Sequence, residues 1–167
     1  GAARGYQRAG FYVVGVDIKP QPHYAGERFV QADAMTYPLE GFDAIHASPP
    51  CQRYARIGAV HGARTSHPDL LAPTLARLVT SPAPWVLENV PDSNLANAAV
   101  LCGSMFGLAA TCDDGRTRQL RRHRLFLSSR LVLSPPCAHA GESIGVYGHG
   151  GRRHIQPHPR GYMGTKR

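Results

Sequence analysis

Apolar positions along this chain fall into short runs closed by turn residues rather than into long amphipathic stretches. "FYVVGVDI" (11–18) is β-branched and ends on Asp17, "RFVQADAM" (28–35) ends beside Asp33, and "FDAIHASPP" (42–50) is stopped by prolines that cannot join a ladder. "PWVLENVP" (84–91) and "RRHRLFLSS" (121–129) complete the strand-like runs. Between them, "HPDLLAPTLARLVT" (67–80) spaces its leucines for a helix, with Pro68 in an early turn and Pro73 as a blemish. "GAARGYQRAG" (1–10) reads as a helix closed by Gly10.

Strand and helix alternate, and the strands are apolar on both faces. That pattern predicts an α/β fold built on an open, mostly parallel sheet with helices on both faces. Ligands of such sheets gather at the carboxyl ends of the strands, where Asp17, Asp33, Cys51 and Glu88 all stand. Residues 110–121 are polar and predict a loop; beyond Leu133 the text is rich in Gly, Pro and His without periodicity, predicting loop or a poorly ordered extension.

The chain's 167 residues suit one domain. Its net charge of +8 comes almost wholly from arginine, since only Lys19 and Lys166 are lysine. Guanidinium grips phosphate in a bidentate fork, so the balance favours nucleic acid over a merely solvated surface. Four irregularly spaced cysteines, Cys51, Cys102, Cys112 and Cys137, point to a reducing cytoplasm, and no apolar run approaches membrane-spanning length. The text opens abruptly on Gly1 inside a helical segment, which suggests a fragment.

Among candidate chemical groups Cys51 comes first. Prolines 49 and 50 fix φ and stiffen the loop that carries the thiol. A cysteine attacks as thiolate, which nearby cations favour; Arg53, Arg56 and Arg122 are candidates. The strand "WVL" delivers Glu88 to the same sheet edge, and a carboxyl at a partly apolar strand end can donate a proton. A thiolate beside an acid suits addition to an electron-poor ring. Period two places Arg122 and Arg124 on one strand face, within reach of a carbonyl oxygen, a phosphate or a thiolate. A set of Cys102, Cys112, Cys137 and His139 holding zinc is the competing use of the cysteines, but Cys-x-His is short and the other spacings match no regular finger, so no metal ligands are assigned.

"SPPCQ", "ENVP" and "RRHRLF", in that order after a strand ending "VGVDI", resemble the blocks of the DNA (cytosine-5) methyltransferase family, closest to its short phage and actinobacterial members, over roughly residues 1–129. The resemblance implies a Rossmann-like fold, S-adenosyl-L-methionine as methyl donor and a cytosine flipped out of double-stranded DNA as substrate. It implies a monomer in the cytoplasm of a bacterium or of a phage-infected host. Cys51 would be the nucleophile toward carbon 6, Glu88 would hold and protonate ring nitrogen 3, and Arg122 and Arg124 would reach the cytosine carbonyl. Asp17, Ile18, Asp33, Ala34 and Pro49 would line the cofactor site, and Pro50, Gln52, Asn89 and Val90 would shape the substrate pocket.

Departures from the family pattern are also plain. Only "GAARGY" remains of the glycine-rich first block, so the first strand would precede Gly1; the last block is not visible by Arg167, and Leu120 stands where Gln usually opens the arginine block, with Gln119 adjacent. Weak cofactor binding by this chain is one consequence. Residues 1–130 are expected to form the incomplete catalytic core, and 131–167 a loop-rich remnant of a DNA-recognition region, with Tyr147, Arg152, Arg153 and Arg160 for phosphate contact and little base readout. The same chemistry on RNA or free nucleotide, and a binding module without turnover, are the alternatives.

Overall fold

The computed structural model describes residues 2–55, 67–112, 114–130 and 132–144. Arg56, Tyr147, Arg152, Arg153 and Arg160 lie outside them. The fold is α/β. Helix α1 (Ala2–Arg8) leads into strands β1 (Val14–Asp17) and β2 (Arg28–Gln31), then β3 (Ile45–Ala47), α2 (Leu71–Val79) and β4 (Trp85–Asn89). Strands β5 (Ala99–Cys102), β6 (Ala109–Thr111), β7 (Thr117–Gln119) and β8 (His123–Ser128) follow. None of the described helices is long and apolar enough to cross a membrane.

Among the described strands, parallel pairing is confined to β1 with β2 and β3 with β4. β8 runs antiparallel between β4 and β5, giving a four-stranded order β3-β4-β8-β5. The expected mostly parallel sheet is therefore corrected to a mixed one. After β4 the chain turns through a 3₁₀ turn at Pro91–Ser93 and a left-handed Asn94 into β5, and β8 later returns between β4 and β5 in the opposite direction to both.

Alternation sorts this sheet into two faces. Trp85, Leu87 and Asn89 of β4 are buried on one, where Leu78 of α2 packs on Trp85 and Leu87 with Ile45, Ala47, Leu75 and Leu127 around them. Burying each such side chain contributes about 1.5–3 kcal/mol. The other face carries His46, Val86, Glu88, Arg124 and Phe126 by register, and α1 meets it through a 2.7 Å bond between the Tyr6 hydroxyl and His46 Nδ1. Pro73, far from spoiling α2, is its third residue, where no intrahelical N–H is needed; the helix begins at Leu71 rather than near Pro68.

Among the described residues, sheet β1-β2 does not pair with the larger sheet, yet β1 and β3 line the same two cavities, of about 290 and 440 Å³. Arg77 of α2 bridges the two parts by donating to the carbonyls of Ala34 and Tyr37.

The expected loop at 110–121 is instead the β6–β7 hairpin. Its strands are polar, and charge pairing replaces apolar burial: Arg118, only 8% exposed, makes a bidentate bond to Asp114 (2.8 and 2.6 Å) and an ion pair to Glu142 (2.9 Å). These hydrogen bonds hold the Asp114 carboxyl down at about 2. Residues 132–144 are largely irregular but fold back onto this hairpin, where Gln119 bridges Ser143 and Ile144 is buried.

Candidate active site

β3 and β4 are parallel neighbours with Ala47 beside Leu87, so their carboxyl ends share one rim. The first releases Ser48, Pro49, Pro50 and Cys51 into a turn in which the Cys51 carbonyl accepts from the amides of Tyr54 and Ala55. The second ends at Glu88 and Asn89. Asn89, 1% exposed, donates from Nδ2 to the Pro49 carbonyl (3.3 Å) and accepts the Val90 amide at Oδ1 (2.8 Å). One buried amide thus ties the loop ahead of the cysteine to the strand that carries the glutamate, and also sets Val90.

Glu88 faces away from the Leu78–Trp85–Leu87 cluster. Its Oε1 meets Arg124 Nε at 3.1 Å, with both side chains about one-fifth exposed, at 20% and 23%. Register explains the encounter: Glu88 lies opposite Phe126, so Arg124 is its diagonal neighbour on the same face. Arg122 precedes β8 instead of lying within it, so only Arg124 is placed on a strand face. His46 shares the face with Glu88. Burial pushes the His46 imidazole below its ordinary pKa, against the opposing pull of Glu88. Burial also raises the Tyr6 phenol, whose hydroxyl shares a hydrogen bond with Nδ1.

Cys51 is a free, half-buried thiol. Gln52 and Pro50 beside it are exposed. Arg53, a candidate activator of the thiol, is engaged elsewhere: it pairs with Asp69 (3.6 Å) and donates to the His67 carbonyl. Asp69 also accepts from the Tyr54 hydroxyl, and burial with that bond pushes the phenol up to about 12. The turn is thereby pinned toward the start of α2.

Three of the expected cofactor residues, Asp17, Ala34 and Pro49, line the 290 Å³ cavity between β1 and β3. Asp17 accepts the Lys19 amide at Oδ1 (2.8 Å) and Gln21 Nε2 at Oδ2 (3.2 Å). A carboxylate has about four acceptor positions, so two remain for hydroxyls. Asp33 closes the turn after β2 by accepting the Met35 amide at Oδ1. Asp33 and the 65% exposed Ile18 are outside the lining of that cavity.

Away from this rim, Cys102, His123, Cys137 and His139 converge, a grouping that exchanges one member of the set the sequence suggested. Cys112 sits in the β6–β7 hairpin, and His123, concealed in a run of arginines, takes its place. Comparisons with protein-family models, curated proteins and solved structures found no match to this chain.

Proposed function

We propose that the chain carries the catalytic core of a DNA (cytosine-5) methyltransferase, with Cys51 as nucleophile and Glu88 as proton donor. The observation that carries this is the bond from Asn89 to the Pro49 carbonyl, which fastens a Pro-Pro-Cys loop to a Glu-Asn strand end on one rim. The Rossmann-like order belongs to the same proposal: a parallel strand entering between β1 and β3 would join the two sheets through the gap that both line.

The residues on the rim divide the work as the chemistry demands. A target base inside a duplex must first be extruded. Its carbonyl oxygen then draws the Arg124 guanidinium, which in the free chain pairs with Glu88, and the Glu88 carboxyl is left to meet ring nitrogen 3. Glu88, which takes up a proton from solvent once Arg124 leaves it, passes that proton to nitrogen 3 as Cys51, its own thiol proton already lost to solvent, bonds as thiolate to carbon 6, and the ring electrons move to carbon 5 as an enamine. The Pro-Pro lead-in keeps the sulfur near attack geometry. S-adenosyl-L-methionine supplies an electrophilic methyl group, and Asp17, Ala34 and Pro49 fit its nucleoside end by position and by the two acceptor sites left on Asp17. Loss of the carbon 5 proton to solvent, with return of the nitrogen 3 proton to Glu88, then expels Cys51 as thiolate and restores the aromatic ring.

Fluorine at carbon 5 blocks that last loss. The chain incubated with duplex DNA containing 5-fluorocytosine and labelled S-adenosyl-L-methionine should therefore form a denaturation-resistant adduct, absent in Cys51→Ser. An adduct in the variant, or none with the native chain, would overturn the proposal. An adduct on matched RNA alone would move the substrate to RNA.

A further inference from the structure

Four potential ligand atoms meet at the far end of β5 and β8, and no step proposed above uses them. Cys102 is the last residue of β5 and His123 the first of β8, and the antiparallel register places them directly opposite one another. Cys137 and His139 come from the irregular segment that folds back over these strands. Cys137 Sγ lies 3.4 Å from His123 Nε2 and 3.0 Å from His139 Nε2, and Cys102 Sγ lies 3.5 Å from His139 Nε2. All four atoms fall within 4.8 Å of one another.

We infer that Cys102, His123, Cys137 and His139 form a structural zinc site that fastens residues 132–144 to the β5–β8 edge. Zinc binds thiolate at about 2.3 Å and imidazole nitrogen at about 2.0–2.1 Å, so sulfur and nitrogen on a tetrahedron stand about 3.5 Å apart. Two of the three separations above match that edge, and the third needs a few tenths of an ångström of opening, which the exposed Cys137 and His139 can give. Two thiolates and two neutral imidazoles cancel the dication's charge, which suits a site whose first ligand, Cys102, is 2% exposed. Hard cations such as calcium and magnesium prefer oxygen and are poorly served by this set. With four protein ligands the site is closed, which marks it as structural rather than catalytic.

The surroundings are those of a ligand shell. Ser104 Oγ lies 3.3 Å from Cys102 Sγ and donates to it, and lies 3.6 Å from Cys137 Sγ; a hydroxyl so placed supports a thiolate. Gly103, which follows Cys102, is pressed against Leu120, and a Cβ there would collide with the Leu120 carbonyl. That close approach brings the end of β5 next to the entry to β8. Since residues 132–140 contribute no strand or helix, an ion would supply the strongest tie this segment has. It would also fix the start of β8, one residue before Arg124.

The purified chain should contain one zinc, and cobalt(II) in its place should give tetrahedral d–d bands with thiolate charge-transfer absorption. Cys137→Ser and His139→Ala, both at exposed positions and so harmless to the core, should lose the metal and the cobalt spectrum, while Cys112→Ser and Cys51→Ser should keep both. A folded native chain that takes up neither zinc nor cobalt would overturn the inference. So would retention of zinc in the Cys137→Ser, His139→Ala double variant, or a Cys102–Cys137 disulfide in protein purified under reducing conditions. Because none of these readouts involves DNA or methyl transfer, their failure is separate from failure of the proposed activity.

Discussion

The rim of β3 and β4 and the Cys/His cluster at the end of β5 and β8 are assembled by opposite means. At the rim, each chemical group sits in a contiguous motif at a strand end, and the fold needs only to lay two parallel strands side by side. In the cluster, four residues spread from position 102 to 139 meet through an antiparallel register and a returning segment. The rim is open and held by single hydrogen bonds, such as Asn89 to Pro49; the cluster is closed around one point.

The two regions should consequently fail independently. Cys51→Ser should abolish adduct formation without loss of zinc, and the two zinc-ligand substitutions should release the metal without removing the nucleophile. Beneath the rim lies the cluster of Leu78, Trp85 and Leu87, to which β8 contributes Leu127. Leu87→Ala, at a site 0% exposed, should cost about 2–5 kcal/mol of stability in denaturant titrations and weaken both regions together. Asn89→Ala acts only on the rim: with the Pro49 carbonyl and Val90 amide left unpaired, it should cost about 1–3 kcal/mol and slow adduct formation while zinc is retained.

A smaller effect follows from His46. Its folded pKa is lowered by burial, so the unfolded chain takes up protons first as pH falls through about 6.5. The contribution of neutral His46 is complete above that pH and declines below it. Unfolding midpoints should drop between about pH 7 and 5 in the native chain and drop less in His46→Gln; equal slopes would show that His46 does not control the window.

Motifs at strand ends could be read from the sequence because prolines, Asp and Glu punctuate short apolar runs. Ala47 ends β3 just before Ser48-Pro49-Pro50, and Asn89 ends β4 just before Pro91, where the pattern changes. The β6–β7 hairpin was invisible to the same rule because Arg118 is buried by Asp114 and Glu142, not by being apolar. Antiparallel pairing of β8 was equally hidden, since an apolar run such as "RLFL" has no direction. His123 escaped notice for a third reason. Inside Arg121–Arg124 it reads as one more basic residue, and only the register sets it opposite Cys102.

The claim on which the chemistry turns is that Cys51 adds to carbon 6 of cytosine. Addition alone makes carbon 5 basic, so it should exchange its hydrogen with water even when no methyl donor is present. Duplex DNA tritiated at carbon 5 of cytosine should release tritium to solvent on incubation with the native chain, slowly with Glu88→Gln and not at all with Cys51→Ser. Release that persists undiminished in Cys51→Ser, or its complete absence with the native chain bound to the DNA, would contradict a nucleophilic role for this sulfur.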